Sequence, residues 1–363
     1  MHASPRTSRL AARLTRRVLP GSLLALAIAA PSSAQSPSAR PEPGIARLEA
    51  QFAELAKISG GSVGVAAIHL ESGRSAFLNR AQGFHMASTF KVPIAVRLLT
   101  QVDKGELRLD SMITIKPSDL HPGSGTLTDL FRQPGVVLSV RNLMELMLRI
   151  SDNSATDIML RTAGGAGPVN ARLAELGVQG IRLDRSTVRL ISDFSGIRNL
   201  PSDEVTIEEF GNLRRTVTEA DRRAALTTFD TDPRDTSTPE GMARLLEKVW
   251  RRQALSAANS ELLLDIMYRC ETGAERIKGM LPPRTQVAHK TGSLAPGRGF
   301  RGGVVANDVG IIDLPNGAGH LITAIFVKNA DDATVADRTI AHIARAAYDY
   351  FSLTGQPAEQ SSR

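Results

Sequence analysis

Strand-like segments at both ends of this chain enclose a long helical middle, and this arrangement restricts the possible folds more than any other feature. Near the start, "SVGVAAIHL" and "SAFLN" are apolar β-like runs joined by the turn "ESGR". From about residue 285, "TQVAHKTGS", "RGGVVANDVGIIDLP" and "GHLITAIFVKN" return to that pattern. Because isolated strands must pair, we predict one antiparallel sheet assembled from both chain ends.

Amphipathic helices are predicted at both termini and through the middle. "GIARLEAQFAELAKIS" and "ATVADRTIAHIARAAYDYFSL" repeat apolar residues at helical spacing and are expected to cover the sheet. The prediction is an α/β protein of the α+β type. An α/β lobe spans 44–82 and 278–363, and an inserted all-α lobe spans 83–277. A site is expected in the crevice between the two lobes.

The first 34 residues have the pattern of a signal peptide. A stretch with five arginines ends at Arg17 and is followed by "VLPGSLLALAIAA", with small residues at Ser32 and Ala34. This apolar run is too short to span a membrane. "TRRVLP" contains paired arginines, so both the Sec and the twin-Arg routes stay open. We expect an exported, periplasmic protein that is monomeric and has no stable membrane insertion after cleavage.

Charge and cysteine content argue against several classes of partner. The net charge is +7, but without the five arginines of residues 1–34 it falls to +2, so no nucleic-acid partner is expected. Cys270 is the only cysteine, which rules out an internal disulfide. The seven histidines form no H-x-H or H-E-x-x-H pattern. We therefore predict neither a metal site nor a cofactor.

Three short motifs occur in order along the chain. They are S-x-x-K at Ser88–Lys91, S-D-N at Ser151–Asn153, and K-T-G at Lys290–Gly292. Taken singly, Ser88 suits a helix N-cap and Lys290 a strand-edge charge. Together, at the start of a helix, after a helical run and in a strand, they indicate a catalytic site. Lys91 lies one turn after Ser88 on the same helix face, so it can serve as the base for a serine nucleophile.

With their flanking sequences "FHMASTFKVPIAV", "LSVRNLMELMLRISDNSATDIMLRTAGG" and "VAHKTGS", these motifs make the chain resemble the class A serine β-lactamases. These belong to the broader group of penicillin-recognising serine hydrolases. The resemblance implies a two-lobed fold and hydrolysis of the β-lactam amide bond through an acyl-enzyme on Ser88, which confers antibiotic resistance. "HKTG", with His289 before the lysine, resembles a branch that includes extended-spectrum cephalosporinases.

The resemblance also implies roles for the other motif residues. Ser151 would shuttle a proton between Lys91 and the leaving nitrogen, and Asn153 would hold the substrate's side-chain amide. The substrate carboxylate would bind Lys290 and Thr291, with Gly292 permitting close approach. Backbone N–H groups of Ser88 and Ser293 would form the oxyanion hole.

Four further residues are assigned supporting roles. Asp152 is expected to be a buried helix-capping acceptor, and Arg234 and Asp235 to pair and pin a loop. Lys278 stands where many family members carry an arginine that supports the carboxylate site. Arg301 is a rival for that role, and a solvated surface cation is an equal alternative for either residue.

The sequence departs from the family in an enlarged loop at 186–233. Class A enzymes carry, after "R-L-D-R", a glutamate and an asparagine that activate the deacylating water; here Thr187 and Ile191 occupy those positions. Glu208 and Asn212 keep the lost E-x-x-x-N spacing, so one hypothesis is a substitute base. The favoured alternative is a short solvated helix with ordinary charges.

The missing glutamate leaves three functions open. A serine β-lactamase leads because the class A flanking sequences are close. A D-Ala-D-Ala carboxypeptidase-like penicillin-binding protein shares all three motifs and needs no such glutamate. A non-hydrolysing ligand-binding or sensor protein comes third, because the intact motifs argue against it.

Overall fold

The computed structural model describes residues 42–296, 300 and 302–354. The predicted signal peptide at 1–34 and Arg301 lie outside these residues. The strands are β1 (Ser62–His69), β2 (Ser75–Leu78), β3 (Phe84–His85), β4 (Met112–Thr114), β5 (Val137–Ser139), β6 (Ile181–Arg182), β7 (Thr236–Ser237), β8 (Val287–Leu294), β9 (Val304–Asp313) and β10 (His320–Ala330). The helices are α1 (Pro43–Ala56), α2 (Lys91–Asp103), α3 (Leu127–Leu130), α4 (Val140–Arg149), α5 (Asn153–Thr162), α6 (Ala166–Glu175), α7 (Thr187–Ser195), α8 (Ile207–Thr216), α9 (Glu219–Asp230), α10 (Pro239–Trp250), α11 (Ala257–Tyr268) and α12 (Ala333–Thr354).

The main sheet joins the two ends of the chain, as the sequence predicts. Its five strands run in the order β2-β1-β10-β9-β8, and every neighbouring pair is antiparallel. The mixture of helices with an antiparallel sheet confirms the predicted α+β class. The lobe boundaries at 82/83 and 277/278 stay a prediction.

The two faces of the sheet contribute to separate apolar cores. In β1, Val63, Val65 and Ala67 pack in the core that contains residues of α1 and α12. Ala66 and Ile68 belong to the core shared with the helical middle of the chain. This follows from the two-residue alternation of side chains along a strand. β8, which carries the K-T-G motif, is the edge strand on the side opposite β2.

The segment predicted as an enlarged loop is largely helical. The hydroxyl of Ser186 caps the start of α7, and capping boxes at Thr206 and Thr218 begin α8 and α9. The segment has a small apolar cluster of its own, separate from the two main cores: Val188, Ile197, Leu200, Val205 and Phe210. Among the described residues, no helix is long and apolar enough to cross a membrane.

Candidate active site

Ser88 lies in a 3₁₀ turn, Ala87–Phe90, that leads directly into α2. Ala87 has a φ of 45°, a left-handed conformation that costs a non-glycine residue about 1–3 kcal/mol. The turn packs against β8 at Gly292, where an added Cβ would lie 2.5 Å from the Met86 carbonyl oxygen and 3.0 Å from the Ser88 nitrogen. Only glycine allows β8 to approach the turn at Ser88 this closely.

Lys91 connects the first motif to the second. Its side chain is fully buried, and Nζ donates to the Ser151 carbonyl oxygen at 2.7 Å and to Asn153 Oδ1 at 3.1 Å. Nζ also lies 3.0 Å from Ser151 Oγ. Burial, reinforced by the nearby charge of Lys290, holds the pKa of Lys91 well below its usual value. The lowered pKa favours the neutral form of the amine, which is suited to act as a base.

Lys290 brings the third motif to the same hydroxyl group. Its buried Nζ donates to Ser151 Oγ at 3.0 Å and to the Thr291 carbonyl oxygen at 2.8 Å. Burial lowers the pKa of Lys290 to about 8. Ser151 has a φ of 60°, a conformation that the surrounding contacts must maintain. The three sequence motifs therefore converge on the side chain of Ser151.

Asp152 caps two helices at once, which confirms and extends its predicted role. It is buried, and one carboxylate oxygen accepts from the Ala155 N–H of α5 at 2.8 Å. The other oxygen accepts from the N–H groups of Thr126 and Leu127 at the start of α3, at 2.8 and 2.9 Å. Asn153, the next residue, donates from Nδ2 to the Pro122 carbonyl oxygen at 3.1 Å.

Arg276, which the sequence reasoning missed, is the cation beside the K-T-G strand. Its guanidinium is almost fully buried and donates to Ser293 Oγ at 2.7 Å, to the Gly292 carbonyl oxygen at 3.0 Å, and to Asp337 at 2.7 Å. Lys278, the predicted candidate, instead donates to the Cys270 carbonyl oxygen at 3.3 Å. The role that the sequence offered to Lys278 or Arg301 stays a prediction, since Arg301 lies outside the described residues.

His289 lies behind the site in a buried pair. Its Nδ1 is 2.9 Å from Asp308 Oδ1, and both side chains are fully buried. Burial opposes protonation, but the Asp308 carboxylate outweighs it and raises the pKa of His289 to about 9. Nothing in this arrangement tests the resemblance of "HKTG" to a particular branch of the family.

A cavity of about 290 Å³ opens beside Ser88. Its wall contains Ser88 and Asn153 of the motifs and Ser293, the residue after K-T-G, and the enlarged segment contributes the other side. Those residues are Thr187, Leu190, Ile191, Phe194, Ser195, Phe210 and Arg214. No carboxylate is among the described residues that line it.

The chain is similar to known proteins over most of its length. The beta-lactamase enzyme family matches residues 47–351. The chain belongs to this family. A beta-lactamase of Bacteroides uniformis is 29% identical over 310 residues, covering 84% of this chain and 91% of that protein. The crystal structure of a beta-lactamase from Chitinophaga pinensis has a TM-score of 0.69 and 29% identity, covering 84% of this chain and 98% of that one. An ancestral class A beta-lactamase has a TM-score of 0.66 and 29% identity, with coverages of 83% and 99%.

This beta-lactamase-family protein has no glutamate where the class A pattern expects one. Thr187 and Ile191, which occupy the glutamate and asparagine positions of that pattern, both lie in the wall of the Ser88 cavity. Thr187 Oγ1 is buried and has no hydrogen-bond partner among the described residues. Its backbone N–H donates to Asp157 Oδ1 at 2.6 Å, while His121 Nδ1 lies 2.7 Å from the second oxygen of Asp157.

The hypothesis of a substitute base at Glu208 is wrong in this structure. Glu208 is exposed in the first turn of α8 and does not line the cavity. Asn212 is also exposed and accepts a hydrogen bond from Arg215. The favoured alternative, a solvated helix face, is what the structure shows. The same helix nevertheless reaches the cavity through Phe210 and Arg214.

Arg234 and Asp235 both hold the enlarged segment, but not by pairing with each other. Asp235 is fully buried and binds Arg185, with Nε and Oδ2 2.5 Å apart. Arg234 instead binds Asp232 at 2.6 Å and Asp193 at 3.2 Å. The predicted pair was therefore wrong in its partners.

Proposed function

We propose that this protein is a serine β-lactamase that opens the β-lactam amide bond through an acyl-enzyme on Ser88. The observation that carries the proposal is the convergence of Lys91 and Lys290 on Ser151 Oγ, each at 3.0 Å, beside a cavity lined by Ser88. The family match supports the reaction class.

The hydrogen bonds suggest the proton path. Neutral Lys91 has two N–H bonds and one lone pair, and the Ser151 carbonyl and Asn153 Oδ1 occupy the two donors. The lone pair then faces the third contact, Ser151 Oγ at 3.0 Å. In this scheme Ser151 gives its proton to Lys91 and takes the proton of Ser88 as the Ser88 oxygen attacks the β-lactam carbonyl carbon. When the ring C–N bond breaks, Ser151 passes its proton to the nitrogen and recovers one from the Lys91 ammonium.

The charged groups support substrate binding in the same scheme. The ammonium of Lys290 attracts the substrate carboxylate, and Thr291 donates a hydrogen bond to it. The backbone N–H groups of Ser88 and Ser293 stabilise the developing oxyanion, since β8 packs closely against the turn at Ser88. Asn153 keeps one N–H of its amide for the substrate side chain.

A second candidate is a D-Ala-D-Ala carboxypeptidase-like penicillin-binding protein. It is favoured by the lack of a carboxylate among the described residues that line the Ser88 cavity. Without such a base, the deacylating water is poorly activated and the acyl-enzyme is expected to persist.

Two measurements test and separate these functions. Nitrocefin hydrolysis by the mature protein, with Ser88→Ala as the inactive control, tests the β-lactamase. Sustained turnover in both proteins, or in neither, would overturn it. Intact-protein mass spectrometry after exposure to benzylpenicillin then reports the adduct on Ser88: an adduct that outlasts minutes supports the penicillin-binding protein, and rapid loss supports the β-lactamase.

The cellular setting is also a proposal. The N-terminal pattern of residues 1–34 supports export to the periplasm, by either the Sec or the twin-Arg route. We propose a monomer there, acting without a metal ion or an organic cofactor. N-terminal sequencing of the protein from a periplasmic extract tests the cleavage after Ala34.

A further inference from the structure

The Ser88 cavity continues into a second one beneath the enlarged segment. This side cavity has a volume of about 100 Å³. It shares part of its wall with the Ser88 cavity, namely Phe194, Ser195, Arg214 and Ala295. The two cavities therefore adjoin, and together they form a path from Ser88 toward α8 and α9.

Two arginines without acidic partners face this path. Arg214 of α8 lines both cavities and Arg222 of α9 lines the side cavity. Among the described residues, neither has a carboxylate within 4 Å, and none of those that line either cavity is acidic. By contrast, Arg223 on the same helix is paired with Glu219. The cations in the cavity wall thus remain available to a ligand.

The rest of the side cavity is apolar. Its wall contains Phe194, Leu226, Pro296 and Phe300. Both arginines are exposed, so their attraction for a bound anion is modest and is screened by salt, while the apolar wall packs against the rest of the bound chain. The cavity is therefore suited to a chain that is apolar along its length and anionic at its end.

The position of the path indicates which part of a substrate would enter it. It follows β8 through Ser293, Leu294 and Ala295, whereas Lys290 and Thr291 are not in its wall. The carboxylate of the fused ring system is assigned to those two residues. The path is thus left for the acyl side chain, which stays on Ser88 after the ring opens.

We propose that Arg214 and Arg222 form an anionic subsite, so that the protein prefers β-lactams whose acyl side chain ends in a carboxylate. This inference rests on the proposed acylation of Ser88. It adds a specificity-determining pair that belongs to the enlarged segment and not to the three motifs.

The test compares two cephalosporins that differ only at the end of the side chain. One carries a glutaryl group on the 7-amino nitrogen, and the other carries the primary amide of that group. The second-order rate constant for acylation of Ser88 is measured by rapid quench and intact-protein mass spectrometry, so that deacylation does not enter. At low ionic strength we expect the glutaryl compound to react about 5-fold faster with the wild-type protein, and the difference to shrink in high salt.

Neighbouring arginines provide matched controls. The preference should disappear in the double variant Arg214→Gln/Arg222→Gln and persist in Arg215→Gln, which removes the same charge from α8 outside the cavity wall. Equal rates for both compounds in the wild type, or equal losses in Arg214→Gln and Arg215→Gln, would overturn the subsite alone. If neither compound acylates Ser88, the proposed function and the subsite both fail.

Discussion

Replacing Thr187 by glutamate should install the missing base for deacylation. Thr187 begins α7 in the wall of the Ser88 cavity, and its hydroxyl oxygen is buried with no hydrogen-bond partner among the described residues. A longer side chain there can extend into the cavity of about 290 Å³ without displacing an existing hydrogen bond of that hydroxyl.

The size of the effect depends on whether the new carboxylate is ionised. A positioned general base contributes roughly 10²- to 10⁴-fold. Burial and the neighbouring carboxylate of Asp157 favour the protonated form of the new side chain. His121 partly offsets this, because Asp157 outweighs the effect of burial and raises the pKa of His121, which favours the positively charged form of that neighbouring side chain. We therefore expect deacylation in Thr187→Glu to be about 10²-fold faster than in the wild type, at the lower end of the range for a general base.

The assay is the decay of the benzylpenicilloyl adduct on Ser88, followed by intact-protein mass spectrometry after excess drug is removed. Thr187→Gln is the matched control, since it has the same size but cannot accept a proton. Acylation rates should be similar in the two variants. Equal decay of the adduct in Thr187→Glu and Thr187→Gln, with acylation intact in both, would refute the reasoning.

Three other outcomes are expected. The acylation rate should rise with pH as Lys91 loses its proton, then fall above about pH 8 as Lys290 becomes neutral. Stopped-flow measurements across this pH range should show the alkaline fall in the wild type. The fall should be absent in Lys290→Arg, because a guanidinium stays charged. Asp235→Asn leaves Arg185 buried without its main partner and should lower the free energy of unfolding by about 3 kcal/mol. This is the low end for a broken buried ion pair, because Arg185 keeps the carboxylates of Asp193 and Asp232. An unchanged urea midpoint would contradict this. Asp152→Ala removes the two oxygens that accept three backbone N–H bonds and should cost about 3 kcal/mol, at about 1 kcal/mol for each bond, with a smaller loss in Asp152→Asn. Equal thermal midpoints for the two variants would contradict this.

Features with a local signal could be predicted from the sequence. The alternation of apolar residues in the strands and their helical spacing elsewhere predicted the sheet and its covering helices, because each period shows which face of an element is buried. The S-D-N motif led to the capping role of Asp152, since aspartate before a helix is a recognised N-cap pattern. The same pattern did not reveal its second set of contacts with Thr126 and Leu127, which come from another helix.

Features that depend on distant contacts were missed or misassigned. Asp235 binds Arg185, which lies 50 positions earlier, and not its neighbour Arg234. Arg276 was overlooked because family position pointed to Lys278, although only the packing of β8 and β9 decides which side chain reaches Ser293. The capping signals at Thr206 and Thr218 could have indicated that the enlarged loop is helical.

The small apolar cluster inside the enlarged segment has a consequence for motion. Leu200 and Phe210 pack in this separate cluster, whereas Leu190 and Phe194 of α7 belong to the main core. The α8 side of the cavity wall is therefore expected to open as a cooperative unit of its own. Ser88 and Lys91 belong to the turn and helix packed in the main body of the protein. Substitutions that alter the stability of this unit can therefore change the rates at which substrate enters and product leaves, while the geometry of Ser88 and Lys91 stays the same. Amide hydrogen exchange would show this as an opening rate across α8 that exceeds those of α7 and β8.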